Sequence, residues 1–161
     1  MKKSKKLLEN YQEAYDYALD RLAVRDYSGQ DMEGKLRERG CPSAIIAQVI
    51  AKLQEYKFID EERYGKRVYE YWLSKKFYGR QHLRMTLIKK KVRSDLVAGL
   101  VKGLTEEEEA KRAAAYLVST LPKFKKKYGE DSQKISAAVA RGMNSRGFGT
   151  GIISLMLEKI R

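Results

Sequence analysis

Apolar residues recur three and four apart along nearly the whole chain, and strict alternation is absent, so the pattern predicts helices and no strands. Leu8, Tyr11, Tyr15, Ala18, Leu19 and Leu22 form a first helical stripe, which Asp26-Tyr27-Ser28 interrupts. Ser28, followed three residues later by Asp31, predicts a capped second helix that Gly40 closes in a left-handed conformation. Ser43 is placed to cap a third helix over Ala44 to Tyr56, with Ile45, Ile46, Val49, Ile50 and Leu53 on one face. The order then repeats. Asp60 opens a helix carrying Tyr64, Val68, Tyr71 and Trp72, Gly79 breaks it, and two short helices follow near Arg80 to Lys90 and Ser94 to Gly103. Thr105 with Glu108 predicts a capping box, Lys123 to Glu130 reads as a looser basic connector, and two last helices run near Ser132 to Arg146 and Thr150 to Ile160.

The repetition extends to single positions. Met32, Leu36, Arg39, Gly40 and Ser43 fall on Leu83, Leu87, Lys90, Lys91 and Ser94, and again on Val139, Met143, Arg146, Gly147 and Thr150. Cys41 falls on Val92 and Phe148, which predicts a small core residue rather than a reactive thiol. A tandem pattern of this kind means one supersecondary unit used three times. The expected fold is all-α, with three tandem three-helix modules at 1–58, 59–104 and 105–161 forming an elongated, curved, repeat-like body. Lys91 stands where the other copies have glycine, so that turn must either strain or find another cap.

Charge narrows the function. Lys and Arg number 34 against 21 Asp and Glu, a net charge of +13, which points to a polyanionic partner. The densest basic stretch, Tyr71 to Ser94, has no acidic residue and holds Lys75, Lys76, Arg80, Arg84, Lys89, Lys90, Lys91 and Arg93. A second run, Lys123 with Lys125, Lys126 and Lys127, is expected to add attraction without fixed geometry. These residues are the candidate set for binding nucleic acid or an acidic protein surface, with a solvated helix face as the plainer alternative. Tyr78 and Tyr128 are candidates for stacking on unpaired bases, whereas Tyr11, Tyr15, Tyr64, Tyr71 and Trp72 are expected in the core.

Catalytic signals are weak. His82 is the only histidine and, amid cations, is expected on an exposed helix position or near a phosphate. Gly147-Phe148-Gly149-Thr150-Gly151 lacks the strand and the Lys-Ser/Thr pair of a nucleotide loop and reads instead as a helix stop with Thr150 as the next cap. Asp60, Glu61 and Glu62 complement a helix dipole and are too few for a metal. No catalytic residue, metal or cofactor is expected. The single cysteine precludes an internal disulfide, and no apolar run approaches the about 20 residues needed to span a bilayer, so the protein is expected in the cytoplasm.

Arg25-Asp26-Tyr27-Ser28, Lys35-Leu36 ahead of Arg39-Gly40, and Phe58-Ile59-Asp60-Glu61-Glu62-Arg63-Tyr64 resemble the RecX family of recombination regulators. Gly79 followed by Leu83 and Leu87, and Arg146-Gly147-Phe148, extend the resemblance over about residues 14 to 161. The resemblance implies a non-enzymatic regulator that binds the RecA filament on single-stranded DNA. It would inhibit the filament's ATPase, recombinase and coprotease activities and so modulate homologous recombination, DNA repair and the SOS response. Single-stranded DNA, and duplex DNA without sequence preference, are the further partners it suggests, with no membrane. As such a filament-binding regulator, the protein is expected to be a monomer. Two other readings stand beside it. One is a helix-turn-helix DNA binder acting without RecA, against which the apolar starts Ala44-Ile45-Ile46 and Gly151-Ile152-Ile153 argue. The other is a peripheral membrane protein anchored by Lys2, Lys3, Lys5 and Lys6.

Overall fold

The computed structural model describes residues 5–161, so Lys2 and Lys3 lie outside the described residues. Among these, every regular element is helical: α1 (Tyr11–Val24), α2 (Gly29–Glu38), α3 (Ser43–Glu55), α4 (Glu61–Leu73), α5 (Arg80–Lys89), α6 (Ser94–Gly103), α7 (Glu106–Tyr128), α8 (Ser132–Ser145) and α9 (Thr150–Glu158). The all-α, three-helix repeat predicted from periodicity is the observed architecture.

Two compact units organise these helices. One comprises the chain up to Arg67 together with Ile88–Leu96; the other comprises Val68–Leu87 with Val97–Arg161. In the first, α1, α2 and α3 pack on one another around Ala14, Ala18, Met32, Leu36, Val49 and Leu53, all fully buried. In the second, α7, α8 and α9 do the same around Ala113, Tyr116, Val139, Met143 and Met156. The matched pairs Met32/Leu36, Leu83/Leu87 and Val139/Met143 are completely excluded from solvent, and each such side chain contributes about 1.5–3 kcal/mol of burial. Cys41, Val92 and Phe148, the next matched position, are buried as well, and burial pushes the Cys41 thiol pKa up.

The turn before each of these residues is the most regular feature of the repeat. Gly40 and Gly147 adopt φ of 70° and 76°, and Lys91 follows them at 58°. The lysine therefore keeps the left-handed turn and bears its cost, about 1–2 kcal/mol for a residue with a Cβ. The residue two beyond the turn is extended: Pro42 (φ −61°, ψ 143°) and Gly149 (φ −70°, ψ 156°) occupy the cap positions of α3 and α9. Ser43 and Thr150 are thereby the first residues inside their helices and make no capping hydrogen bond, contrary to expectation. The hydroxyl stands one position too late to reach back.

Three further expectations change. Lys123 to Tyr128 is helical, not a connector, because Leu117, Leu121, Phe124 and Tyr128 continue an apolar stripe that packs on the core of the second unit. Thr105 and Glu108 form the predicted reciprocal capping box at the start of α7, while Lys125, Lys126 and Lys127 lie at its negative end. α4 stops at Leu73, before Gly79, and Arg112 finishes it by donating to the carbonyls of Leu73 and Lys75 at 2.8 and 2.7 Å. Gly79 instead admits a close crossing: its N–H donates to Arg146 O at 2.9 Å, and a Cβ there would lie 2.6 Å from Gly147 O and Phe148 Cα. Finally, Tyr71 is 67% exposed, although Tyr64 and Trp72 are buried as predicted. Its neighbour Trp72 takes the inward position of that helical turn.

Two buried carboxylates, neither anticipated as a long-range contact, join successive triplets. Glu61, at the start of α4, accepts the first N–H of α2, from Gly29, at 2.7 Å. Glu109, in the first turn of α7, accepts the first N–H of α5, from Arg80, at 2.9 Å. Gly29 and Arg80 are equivalent positions of the repeat. Each donor is one of the orphan groups at a helix start, where a carboxylate also meets the positive end of the dipole.

Candidate functional site

The candidate cations divide by role. Arg80 is committed to the fold: besides its N–H to Glu109, its guanidinium donates to Leu104 O at 2.7 Å. Arg93 donates twice to Asp95, at 2.6 and 3.0 Å, and this pairing raises its pKa. Lys91 lies 3.7 Å from Asp31. Lys75, Lys76, Arg84, Lys89, Lys90, Lys123, Lys125, Lys126 and Lys127 have no ion-pair partner among the described residues. Lys75 and Lys127 lie over the rings of Tyr71 and Tyr128, at 5.6 and 5.1 Å.

Within the first unit, Lys89, Lys90 and Lys91 line a cleft of about 390 Å³ with Arg25, Asp31 and Tyr64. Its floor is locked. Arg25 donates to Asp31 at 3.0 Å and lies 3.6 Å from the centre of the Tyr27 ring, and Tyr64 donates to Lys90 O at 2.7 Å. Burial, then the nearby Asp31 charge, raises the Tyr64 pKa. Asp31 is neutralised by Arg25 and Lys91, so Lys89 and Lys90 are left to attract an external anion. The Tyr64 bond pins the backbone that carries them.

Within the second unit, Lys75, Lys76, Arg80 and Arg84 adjoin an aromatic group that differs from expectation. His82 is half-buried: its Nδ1 accepts the Trp72 indole N–H at 2.9 Å and its ring lies 4.0 Å from that of Tyr78. Burial, reinforced by Lys75 and Arg146, holds its pKa below the ordinary 6.5. Tyr78 is half-buried and covered by Arg146 at 5.1 Å, and Tyr128 packs on the core, so both rings are partly occupied within the fold. The missed residues, Glu61, Glu109 and Arg112, act at helix ends distant in sequence, where no local motif marks them.

Comparison with known proteins places this geometry. Residues 14–53 match the family model described as RecX, first three-helix domain. The regulatory protein RecX of Chlorobium limicola is 24% identical over 148 residues, covering 92% of this chain and 89% of that protein. That of Clostridium botulinum is 29% identical over 130 residues, covering 81% of this chain and 60% of its own. The chain carries a RecX first three-helix domain and is similar to RecX proteins over most of its length. The crystal structure of RecX from Lactobacillus salivarius has the same fold, with a TM-score of 0.79 at 18% identity, over 93% of this chain and 96% of that one. That likeness of fold extends well beyond residues 14–53. No helix among the described residues is long and apolar enough to cross a membrane.

Proposed function

We propose that this protein is a non-enzymatic regulator of the RecX family that binds a RecA-type recombinase assembled on single-stranded DNA and inhibits its ATP hydrolysis and strand exchange. The observation that carries the reading is the set of basic side chains without internal partners: Lys76, Arg84, Lys89 and Lys90, supported by Lys123, Lys125 and Lys126. A cation already paired within the fold must give up that partner to bind a phosphate or an acidic strip; these need not. Arg80 and Arg93 accordingly serve the fold before they serve a partner. The segments 1–58, 59–104 and 105–161 are, in this reading, three repeats laid along the filament, with Lys89 and Lys90 at its phosphates or acidic side chains. The relatives' common name, regulatory protein RecX, supports the role.

The test is ATP hydrolysis by the cognate recombinase on single-stranded DNA, with this protein titrated in. Inhibition at well below one copy per recombinase is expected, weakening steeply with added salt. Lys89→Glu with Lys90→Glu should lower the potency by at least tenfold without changing the helical signal. No inhibition up to equimolar wild-type protein would overturn the reading.

A further inference from the structure

The outward face of α5 departs from the other two copies of the repeat. Its inward residues, Leu83 and Leu87, are fully buried like their equivalents. Outward, Met85 and Ile88 are 63% and 54% exposed. Their equivalents are Gly34 and Arg37 in α2, and Arg141 and Asn144 in α8. The flanking Arg84 and Lys89 replace Glu33 and Glu38 of α2 and Ala140 and Ser145 of α8. Only the middle copy therefore places two large apolar side chains between two cations, and neither cation has an ion-pair partner among the described residues. These four residues stand on one unbroken helix, so their spacing is fixed by the helix itself: Met85 and Ile88 are i,i+3 neighbours, as are the pairs Arg84/Ile88 and Met85/Lys89 at i,i+4. Exposed Val24 and Val118, by contrast, have no large exposed apolar residue three or four positions away on their helices.

We infer that this face of α5 is a docking surface for a protein partner that presents an apolar strip rimmed by acidic side chains. The inference rests on the recombinase reading and names the part of that contact made with protein rather than with DNA. Charge complementarity sets the acidic rim, through Arg84 and Lys89. The apolar centre sets the class of partner. Single-stranded DNA is held by phosphate contacts and by stacking on aromatic rings, and α5 carries no Phe, Tyr or Trp, while its one ring, His82, already packs against Tyr78 and Trp72. Methionine and arginine are enriched at protein interfaces, where the two apolar side chains would be desolvated together. A duplex wedged open by Met85 and Ile88 is the competing occupant and is separable by experiment.

The experiment uses the full chain carrying Met85→Gln and Ile88→Asn, which removes the apolar centre and leaves every charge. Binding is measured to the recombinase assembled on single-stranded DNA, to the same single strand alone, and to duplex DNA. The expected result is at least tenfold weaker binding to the recombinase filament, with both DNA affinities within twofold of wild type. Because both side chains are exposed, the thermal midpoint should not move, and this is checked by circular dichroism. Filament binding within twofold of wild type overturns the inference, as does a parallel loss of affinity for DNA alone. Failure of the wild-type chain to bind the filament defeats the recombinase reading itself, and this inference with it.

Discussion

Replacing Glu109 tests whether the triplets are joined by the hydrogen bond described above. The carboxylate is 3% exposed and accepts the Arg80 N–H at 2.9 Å, with its second oxygen 3.8 Å from Arg80 Nε. A buried hydrogen bond to a charged group is worth about 1.5–3 kcal/mol. The charge at the start of α5 adds about 0.3–1 kcal/mol, and the long, partly exposed pair with the guanidinium about 0–1. Glu109→Ala removes all three contributions and should cost about 3 kcal/mol. Glu109→Gln keeps an acceptor oxygen for the Arg80 N–H and loses only the charge, so it should cost about 1 kcal/mol. Urea unfolding followed by the fluorescence of Trp72, the single tryptophan and a residue of the same unit, reads both variants. With a slope of about 1–3 kcal/mol per molar, the alanine variant should shift the midpoint by about 1–3 M. If glutamine proves as damaging as alanine, charge and not the hydrogen bond is the dominant effect, and the argument fails. If neither variant costs more than about 0.5 kcal/mol, the joint contributes nothing.

Two other perturbations follow from the turn and from the histidine. Lys91→Gly and Lys91→Ala both delete the Asp31 contact, but only alanine keeps a Cβ in the left-handed region; chemical unfolding should find glycine more stable than alanine by about 1 kcal/mol, and equality would show that the turn is unstrained. His82 has a pKa lowered by folding, so the unfolded chain binds more protons in acid. The stability it contributes is present above its ordinary pKa of 6.5 and declines as the pH falls through that value toward the lower folded one. Protonation also removes the lone pair that accepts the Trp72 N–H, so Trp72 emission should report the same transition. His82→Gln should flatten the decline between pH 7.5 and 5; an unchanged slope would assign it to other groups.

Much of the fold was legible because it is written in local, repeated positions. The inward pairs of α2, α5 and α8 and the left-handed residue ahead of Cys41, Val92 and Phe148 depend on spacing alone, and spacing predicts them. What escaped depends on partners far along the chain or on one-residue detail. Glu61 meets Gly29 and Glu109 meets Arg80 across about thirty residues, so each carboxylate reads locally as a decoration of its own helix. Ser43 and Thr150 looked like caps because hydroxyls at helix starts usually are, but the extended residue falls one place earlier. The lysine run near Lys125 hid a helix, since four charges obscured the stripe of Leu117, Leu121, Phe124 and Tyr128. Of the candidate site, the density of cations was visible in sequence. Which of them are already engaged was not: Arg80, Lys91 and Arg93 are distinguished from Lys89 and Lys90 only by the acceptors the fold brings to them.

The way successive triplets hold one another has a bearing on synthesis. The apolar residues that α1, α2 and α3 pack together have all been synthesised once Ile59 is added, and Glu61 follows at once, but the turn that carries Lys90 and Lys91 comes much later. At about 5–20 residues per second, about 2–6 s separate that turn from Ile59. During that interval α1, α2 and α3 are a bundle in which Arg25 alone faces Asp31, and the Tyr64 hydroxyl has no carbonyl to meet. The first unit thus waits on the ribosome for Ile88–Leu96, and a chain stalled before that segment would leave an incomplete body for proteases to find.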